Sequence, residues 1–243
     1  MIILFTDFGI RDPYVGQIKG RIAEYAPDQI VVDLLHEVPD YNPHAGAHLL
    51  AAFAAGFQPG SVFLAVVDPG VGSPRDAVVV MAGGRWYVGP DNGLLSLVAA
   101  RNTDTRLWRI TWQPEALSAT FHGRDVFAVI AAEVARGEFP QSKLTSIDKL
   151  QVEFDAGELP RVIYIDHFGN AWVGVRNVPK DARVSAAGVI FKHSESFAFV
   201  GKGEGFWINN SVGLLELAVN RGNAAAAFGL KVGDPVQVQR LNY

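Results

Sequence analysis

A two-domain α/β protein is what this sequence predicts, with a mainly parallel first sheet followed by a small antiparallel β-barrel. Three observations lead there. In the first 150 or so of the 243 residues, short apolar runs alternate with segments of helical period. From residue 161 onward, short strand-like runs follow one another with Gly, Pro and Asn between them. The composition, 49% hydrophobic and 19% charged with no cysteine, describes packed cores held without disulfides. The expected domains are residues 1–150 and 161–243, joined by a linker over 151–160.

Residues 1–5, 30–35 and 61–67 are continuous Val, Ile and Leu-rich runs of the kind buried in parallel sheets. Between the first two, residues 12–25 place Val15, Ile18 and Ile22 at helical spacing, with Asp12 as N-cap before Pro13. Residues 43–57 are alanine-rich and apolar on most sides, as in a covered helix. The β-α-β-α-β order requires right-handed crossovers and a largely parallel sheet. Residues 77–81 and 85–88, joined through Gly83-Gly84, predict a hairpin, and residues 124–136 a last helix. In the second half, residues 161–165, 171–175, 189–191, 197–200, 205–208 and 235–239 predict strands, and 214–219 a short helix.

The charge balance of -4 argues against a dedicated nucleic-acid binder, because no basic face announces itself in the sequence. The apolar start, Met1 to Phe5, meets Asp7 too soon for a signal peptide, and the longest apolar run falls short of the ~20 residues that span a bilayer. A cytoplasmic protein with no membrane partner is expected. Without cysteine, thiolate nucleophiles and Cys-ligated metals are excluded. His36, Glu37, His44 and His48 invite a metal reading, but no HExxH pattern is present, and no metal is expected. Gly70-Val71-Gly72 lacks the third glycine of a dinucleotide fingerprint, and neither a phosphate-binding loop nor a GxSxG elbow occurs.

Chemistry gathers instead at strand ends. Asp7, Asp68 and Asp166 each follow a predicted strand closely, and in open α/β sheets ligands bind at the carboxyl ends of strands. Asp and Gly there also serve ordinary turns. Thr120-Phe121-His122-Gly123-Arg124-Asp125 leads into a helix, where backbone N–H groups face an anionic ligand; Arg124 and Asp125 read as a first-turn charge pair. Gly89-Pro90-Asp91-Asn92-Gly93 is a tight turn before a short helix, and residues 166–170 form a hairpin-type turn.

These pieces together, TDFGIRDPYVGQIKG, DPGVGSPR, GPDNG, TFHGRDVFA, DHFGN and NSVGLLELA, resemble the SAM hydroxide adenosyltransferases. Those are S-adenosyl-L-methionine (SAM) hydrolases related to the bacterial fluorinase and chlorinase. The resemblance runs nearly end to end in the same order. It implies hydrolysis of SAM to adenosine and L-methionine without a cofactor, in a homotrimer whose sites pair the first domain of one subunit with the second domain of the next. It also implies a catalytic triad of Asp68, Arg75 and His122. Asp7 maps to the carboxylate that clasps the ribose hydroxyls, Tyr41 to an aromatic by the sugar, and Phe121 to the substrate-binding set. Asp166 maps to the residue holding the methionine ammonium, Asn170 to an adenine-edge contact, Phe168 and Trp172 to apolar walls, and Ser211 to a methionine-carboxylate contact. The backbone of residues 223–225 would face the adenine.

The triad suits the chemistry. Methionine leaves a sulfonium as a neutral thioether, so no general acid is needed, and the difficulty is to desolvate and aim water. A carboxylate such as Asp68 accepts the water's proton, His122 orients or relays, and Arg75 stabilises the carboxylate's charge. Two positions depart from the family: Val212 stands where halogen-transferring relatives carry arginine, and Val129 where the hydrolases have proline. Asp68 argues against halide transfer, because a carboxylate beside the nucleophile repels a halide. The rival readings are a SAM- or adenosine-binding protein without catalysis, a hydrolase using His36, His44 and His48 as metal ligands, and halide transfer.

Overall fold

The computed structural model describes residues 1–240, which form two compact units, one over Met1–Ala156 and one from Gly157 onward. Residues 241–243, assigned above to the barrel domain, lie outside the described residues. Among the described residues no helix is long and apolar enough to cross a membrane.

The first unit is a seven-stranded sheet in the order β2-β1-β3-β5-β4-β6-β7. Its elements are β1 (Ile2–Thr6), α1 (Tyr14–Tyr25), β2 (Val31–Leu35), α2 (Pro43–Ala54), β3 (Val62–Val66), β4 (Ala77–Ala82), β5 (Arg85–Pro90), α3 (Ser96–Ala100), β6 (Arg106–Ile110), α4 (Ala128–Ala135) and β7 (Leu144–Ile147). Both β1 and β3 are buried at every position, as their unbroken apolar runs require. The expected parallel sheet is only half present. β2, β1, β3 and β5 run parallel, but β4 pairs antiparallel with β5 and β6, and β7 antiparallel with β6, so the sheet is mixed. The cause is the hairpin: Gly83 and Gly84 both take positive φ, 58° and 70°, and turn β4 directly into β5, which seats against β3. β6 and β7 escaped the sequence reading because Arg106 and Arg109 interrupt one and Thr145-Ser146 the other.

Helix α1 buries Ile18 and Ile22 as its spacing foretold, but it is capped by Pro13 without a side-chain hydrogen bond, not by Asp12. In α2 the Asn42 side chain accepts from the Ala45 N–H ahead of Pro43, and its central residues are buried on nearly all sides. The last helix begins with a π turn over Gly123–Phe127 before α4 proper, where an uninterrupted α-helix was expected. Residues 151–154 bind back onto this unit: Gln151 N–H donates to Asp91 Oδ2 at 2.8 Å, and Phe154 N–H to Ser96 Oγ at 3.2 Å.

The second unit has β8 (Leu159–Ile165), β9 (Ala171–Arg176), β10 (Arg183–Ala186), β11 (Val189–His193), β12 (Gly205–Asn209), β13 (Leu214–Val219), α5 (Ala224–Phe228) and β14 (Val236–Gln239). Its sheet order is β14-β10-β11-β12-β13-β9-β8. The two outer strands approach each other through an Arg161–Pro235 bridge and reciprocal bonds, Val162 N–H to Asp234 O at 2.9 Å and Gly233 N–H to Val162 O at 2.8 Å. The sheet thus nearly closes into a barrel around Val173, Val184, Trp207, Leu215 and Leu217. It is not wholly antiparallel, since β11 and β12 run parallel.

Residues 214–219, expected as a helix, form the fully buried strand β13. Leu, Glu and Ala favour helices locally, but β12 and β9 flank this segment on both sides and pair with it along its length, and that pairing outweighs propensity. Residues 197–200, expected as a strand, contain instead a short 3-10 turn over Phe197–Phe199, whose Ser196 side chain accepts from Ala198 N–H. β10 and α5 were not foreseen.

Candidate active site

Register builds the first half of the site. β1 and β3 are neighbouring parallel strands with Thr6 opposite Val66, so Asp7 and Asp68 emerge on the same edge of the sheet. Asp7 N–H donates to Val66 O at 3.3 Å, and the Asn92 side chain donates to Val67 O at 2.8 Å. The GPDNG turn therefore braces the strand that delivers Asp68. The loop after Asp68 folds tightly: Gly72 has φ +81°, and a Cβ there would lie 2.6 Å from the Ala119 carbonyl oxygen, so only glycine brings the loop against residues 118–121.

That loop returns Arg75 to Asp68. Arg75 Nε donates to Asp68 Oδ1 at 2.9 Å, while Nη2 contacts Oδ2, a two-pronged pair with both side chains at most one-tenth exposed. Nη1 donates to the Asp76 carbonyl at 3.1 Å, and the guanidinium lies over Phe127 at 5.3 Å. Arg75 Nη2 also reaches His122 Nδ1 at 3.4 Å. An arginine can only donate, so Nδ1 is the acceptor and the ring proton sits on Nε2. Burial first, then the Arg75 charge, lowers the His122 pKa below its usual value, consistent with a neutral ring. Asp68, Arg75 and His122, scattered in sequence, are thus one cluster.

A cavity of about 310 Å³ opens beside it, lined by Asp7, Asp40, Tyr41, Asp68, Phe121 and His122 among others. Burial raises the Asp7 pKa, partly offset by the Tyr41 N–H, which donates to Asp7 Oδ2 at 3.2 Å. Tyr41 takes φ 56° and is 76% exposed. Phe121 packs with Phe8 and Tyr14 at ring-centre distances of 5.8 and 5.4 Å, a wall to which sequence reasoning had contributed only Phe121. Asp40 was also missed; the PDYNP turn that holds it was its one signal. The Arg124–Asp125 pair is as expected: Arg124 Nε donates to Asp125 Oδ1 at 2.6 Å, and Asp125 Oδ2 accepts from Ser118 N–H at 2.9 Å, ordering the loop before the helix.

The second unit carries its own cavity, of about 750 Å³, lined by Asp166, Phe168, Asn170, Glu216, Arg221 and Asn223 among others. Asp166 Oδ1 accepts from Phe168 N–H and Asn170 N–H, and Oδ2 from Asn170 Nδ2, each at 2.9 Å. This carboxylate shapes its own turn. Gly169 has φ +83°, and its missing Cβ would sit 2.1 Å from the Asn223 side chain. Within the 223–225 backbone stretch expected to face the adenine, Ala225 N–H donates to Gly169 O at 2.9 Å. Trp172 packs edge-on against Tyr164 at 5.5 Å, and exposed Ser211 follows β12 at the far end of β13; neither lines this cavity. Glu216 does line it and was overlooked, being a single acid inside an apolar run.

His36, His44 and His48 have other partners. His36 Nδ1 bonds Thr6 Oγ1 at 2.8 Å and Nε2 bonds Asp33 at 3.2 Å, while the His44 ring packs at a tilt against Phe154 at 4.3 Å and His48 at 5.5 Å between ring centres. Among the described residues no three His, Asp or Glu side chains gather as a metal would need.

The model of the SAM hydroxide adenosyltransferase N-terminal domain matches residues 2–144, and that of the family's C-terminal domain residues 160–237. The chain belongs to the SAM hydroxide adenosyltransferase family. It is 38% identical to the (R)-S-adenosyl-L-methionine hydrolase of Thermus thermophilus, over 98% of each chain. A fluorinase of Nocardia brasiliensis is more distant, 27% identical over 98% of this chain and 96% of that one. Among solved structures, an uncharacterized conserved protein from Thermotoga maritima superposes with a TM-score of 0.89 at 31% identity, covering 99% and 100% of the two chains.

Proposed function

We propose that the protein hydrolyses SAM to adenosine and L-methionine by in-line attack of water at C5′. The observation that carries this reading is the buried Asp68–Arg75 pair with His122 at the edge of a cleft, in a chain related over its whole length to SAM hydrolases. In this reading Asp68 accepts the proton of the attacking water. Arg75 occupies one lone pair on each Asp68 oxygen and leaves the others to receive it. His122, neutral with its proton on Nε2, orients the water or relays the proton. Asp7 clasps the ribose hydroxyls as an acceptor-only group, with Tyr41 and Phe121 beside the sugar, while Asp166, Phe168 and Asn170 serve the adenine and methionine ends from the second-unit cavity, and Trp172 and Ser211, outside that cavity, are assigned to the same ends by the family resemblance alone.

No cofactor is called for, because the sulfonium supplies its own leaving group. Halide transfer is disfavoured by the charge of Asp68, against which a second desolvated anion would have to be held. We extend the proposal to a cytoplasmic homotrimer in which neighbouring subunits complete each site. Incubation of the purified protein with SAM, with and without excess chloride, tests the reaction. Equimolar adenosine and methionine, absent with Asp68→Ala, supports hydrolysis. A chlorinated nucleoside points to halide transfer, and intact SAM that co-elutes with the protein leaves a binding protein.

A further inference from the structure

The second-unit cavity holds a carboxyl group with no assigned task. Glu216 is 5% exposed yet lines the cavity, on a strand whose inward neighbours Leu215 and Leu217 belong to the barrel core. Its cross-strand partners are Trp172 on β9 and Ile208 on β12, which carry no charge. The ionisable groups around it are Asp166, from the turn between β8 and β9, and Arg221 on the cavity lining. The Asn210 amide favours its charged form, yet Asn210 Nδ2 completes no hydrogen bond of normal geometry among the described residues. Asp166, by contrast, already accepts three hydrogen bonds within its own turn. Of the two acids, Glu216 has the greater spare acceptor capacity.

Phe168, Phe197 and Val219 give the same cavity apolar walls, which strengthen any charge contact made inside it. SAM has two cationic centres, and only one donates hydrogen bonds: the ammonium offers three N–H donors and the sulfonium none. We propose that Glu216 receives the ammonium of the substrate's amino-acid end, sharing it with Asp166, and so selects substrates that carry that amine. This rests on SAM being the substrate. Burial and the neighbouring Asp166 raise the Glu216 pKa to about 7, so the carboxyl is poised between its two forms near neutrality and a bound cation draws out the proton.

The test is calorimetric binding of SAM and of its desamino analogue to protein bearing Asp68→Ala, with and without Glu216→Gln, between pH 6 and pH 8. The amide should weaken SAM by about tenfold, equivalent to about 1.4 kcal/mol, and leave the analogue unchanged. Binding of SAM near pH 6.5 should release protons, seen as a heat that depends on the buffer, and the release should vanish in the Gln variant. Equal losses for both ligands would reduce Glu216 to a structural residue, and no loss for either would remove it from the site. Adenosine release by the unsubstituted enzyme, followed in parallel, separates the outcomes. If SAM is hydrolysed while the preference survives Glu216→Gln, only this inference falls; if SAM neither binds nor reacts, the substrate reading falls and takes this one with it.

Discussion

Glu216 makes a quantitative statement about stability. A carboxyl raised from its ordinary 4.5 to about 7 in the folded protein binds its proton more tightly there than in the unfolded chain. Folding is then favoured where the group is protonated, and stability is lost as pH rises from the unfolded value toward the folded one. The full loss corresponds to about 3 kcal/mol. Most of it, about 2–3 kcal/mol, falls between pH 5 and pH 8. Glutamine keeps the size and cannot ionise, so Glu216→Gln removes this pH dependence. Melting temperatures of both proteins at the two pH values measure it as a difference of differences, which cancels the intrinsic effect of the amide and every titration not coupled to Glu216. With about 2–4 °C per kcal/mol for a chain of this size, the variant should gain about 5–10 °C on the parent in going from pH 5 to pH 8. An equal offset at both pH values, within a degree, would show that Glu216 titrates as an ordinary, solvated acid and would refute the expected shift.

Other outcomes follow from the first unit and from the Asp166 turn. Asp68→Asn should lower kcat by about a hundredfold to ten-thousandfold, the usual worth of a general base; circular dichroism must show an intact fold, and near-normal turnover would take Asp68 out of proton transfer. The rate should fall on the acid side with a midpoint below the ordinary 6.5 of histidine, because protonating His122 places a second cation beside Arg75; a midpoint at or above 6.5, or one unmoved by His122→Gln, assigns that limb elsewhere. Asp7→Asn should weaken nucleoside binding by about 1.5–3 kcal/mol through lost charge-assisted hydrogen bonds, read by titration with adenosine. Gly169→Ala forces a side chain onto a φ of +83° and into Asn223; a cost of about 1–3 kcal/mol should appear as a lower melting temperature, and an unchanged melt would contradict the packing described.

The first unit was largely legible because its message is local. β1 and β3 are unbroken apolar runs, and an Asp just beyond each must lie at the strand's carboxyl end whatever surrounds it. Which strands are neighbours was less so: the mixed sheet depends on where a Gly83-Gly84 hairpin docks, a matter of tertiary fit. The Asp68–Arg75 contact follows from no spacing rule either; it needs Gly72 to fold the loop onto Ala119, and only the family resemblance pointed to it. The second unit was harder. There β13 carries Leu, Glu and Ala in an order that suits a helix until two partners compete for its backbone. Misreading β13 also hid Glu216, since an acid on a helix is ordinarily solvated, whereas on a strand between β12 and β9 it is walled in.

The near-closure of the second sheet bears on how the chain is made. β8 precedes all its sister strands, yet its last neighbour is the segment around Pro235, more than seventy positions later. During synthesis the first sheet can be assembled once β7 has emerged, whereas the second must wait, with the β8 and β10 edges bare, until β14 leaves the ribosome. Bare edges are templates for pairing with other chains. A ribosome that stalls before Pro235 therefore releases a product with one finished half and one adhesive half. That interval, more than any property of the finished protein, is where aggregation and chaperone capture should concentrate.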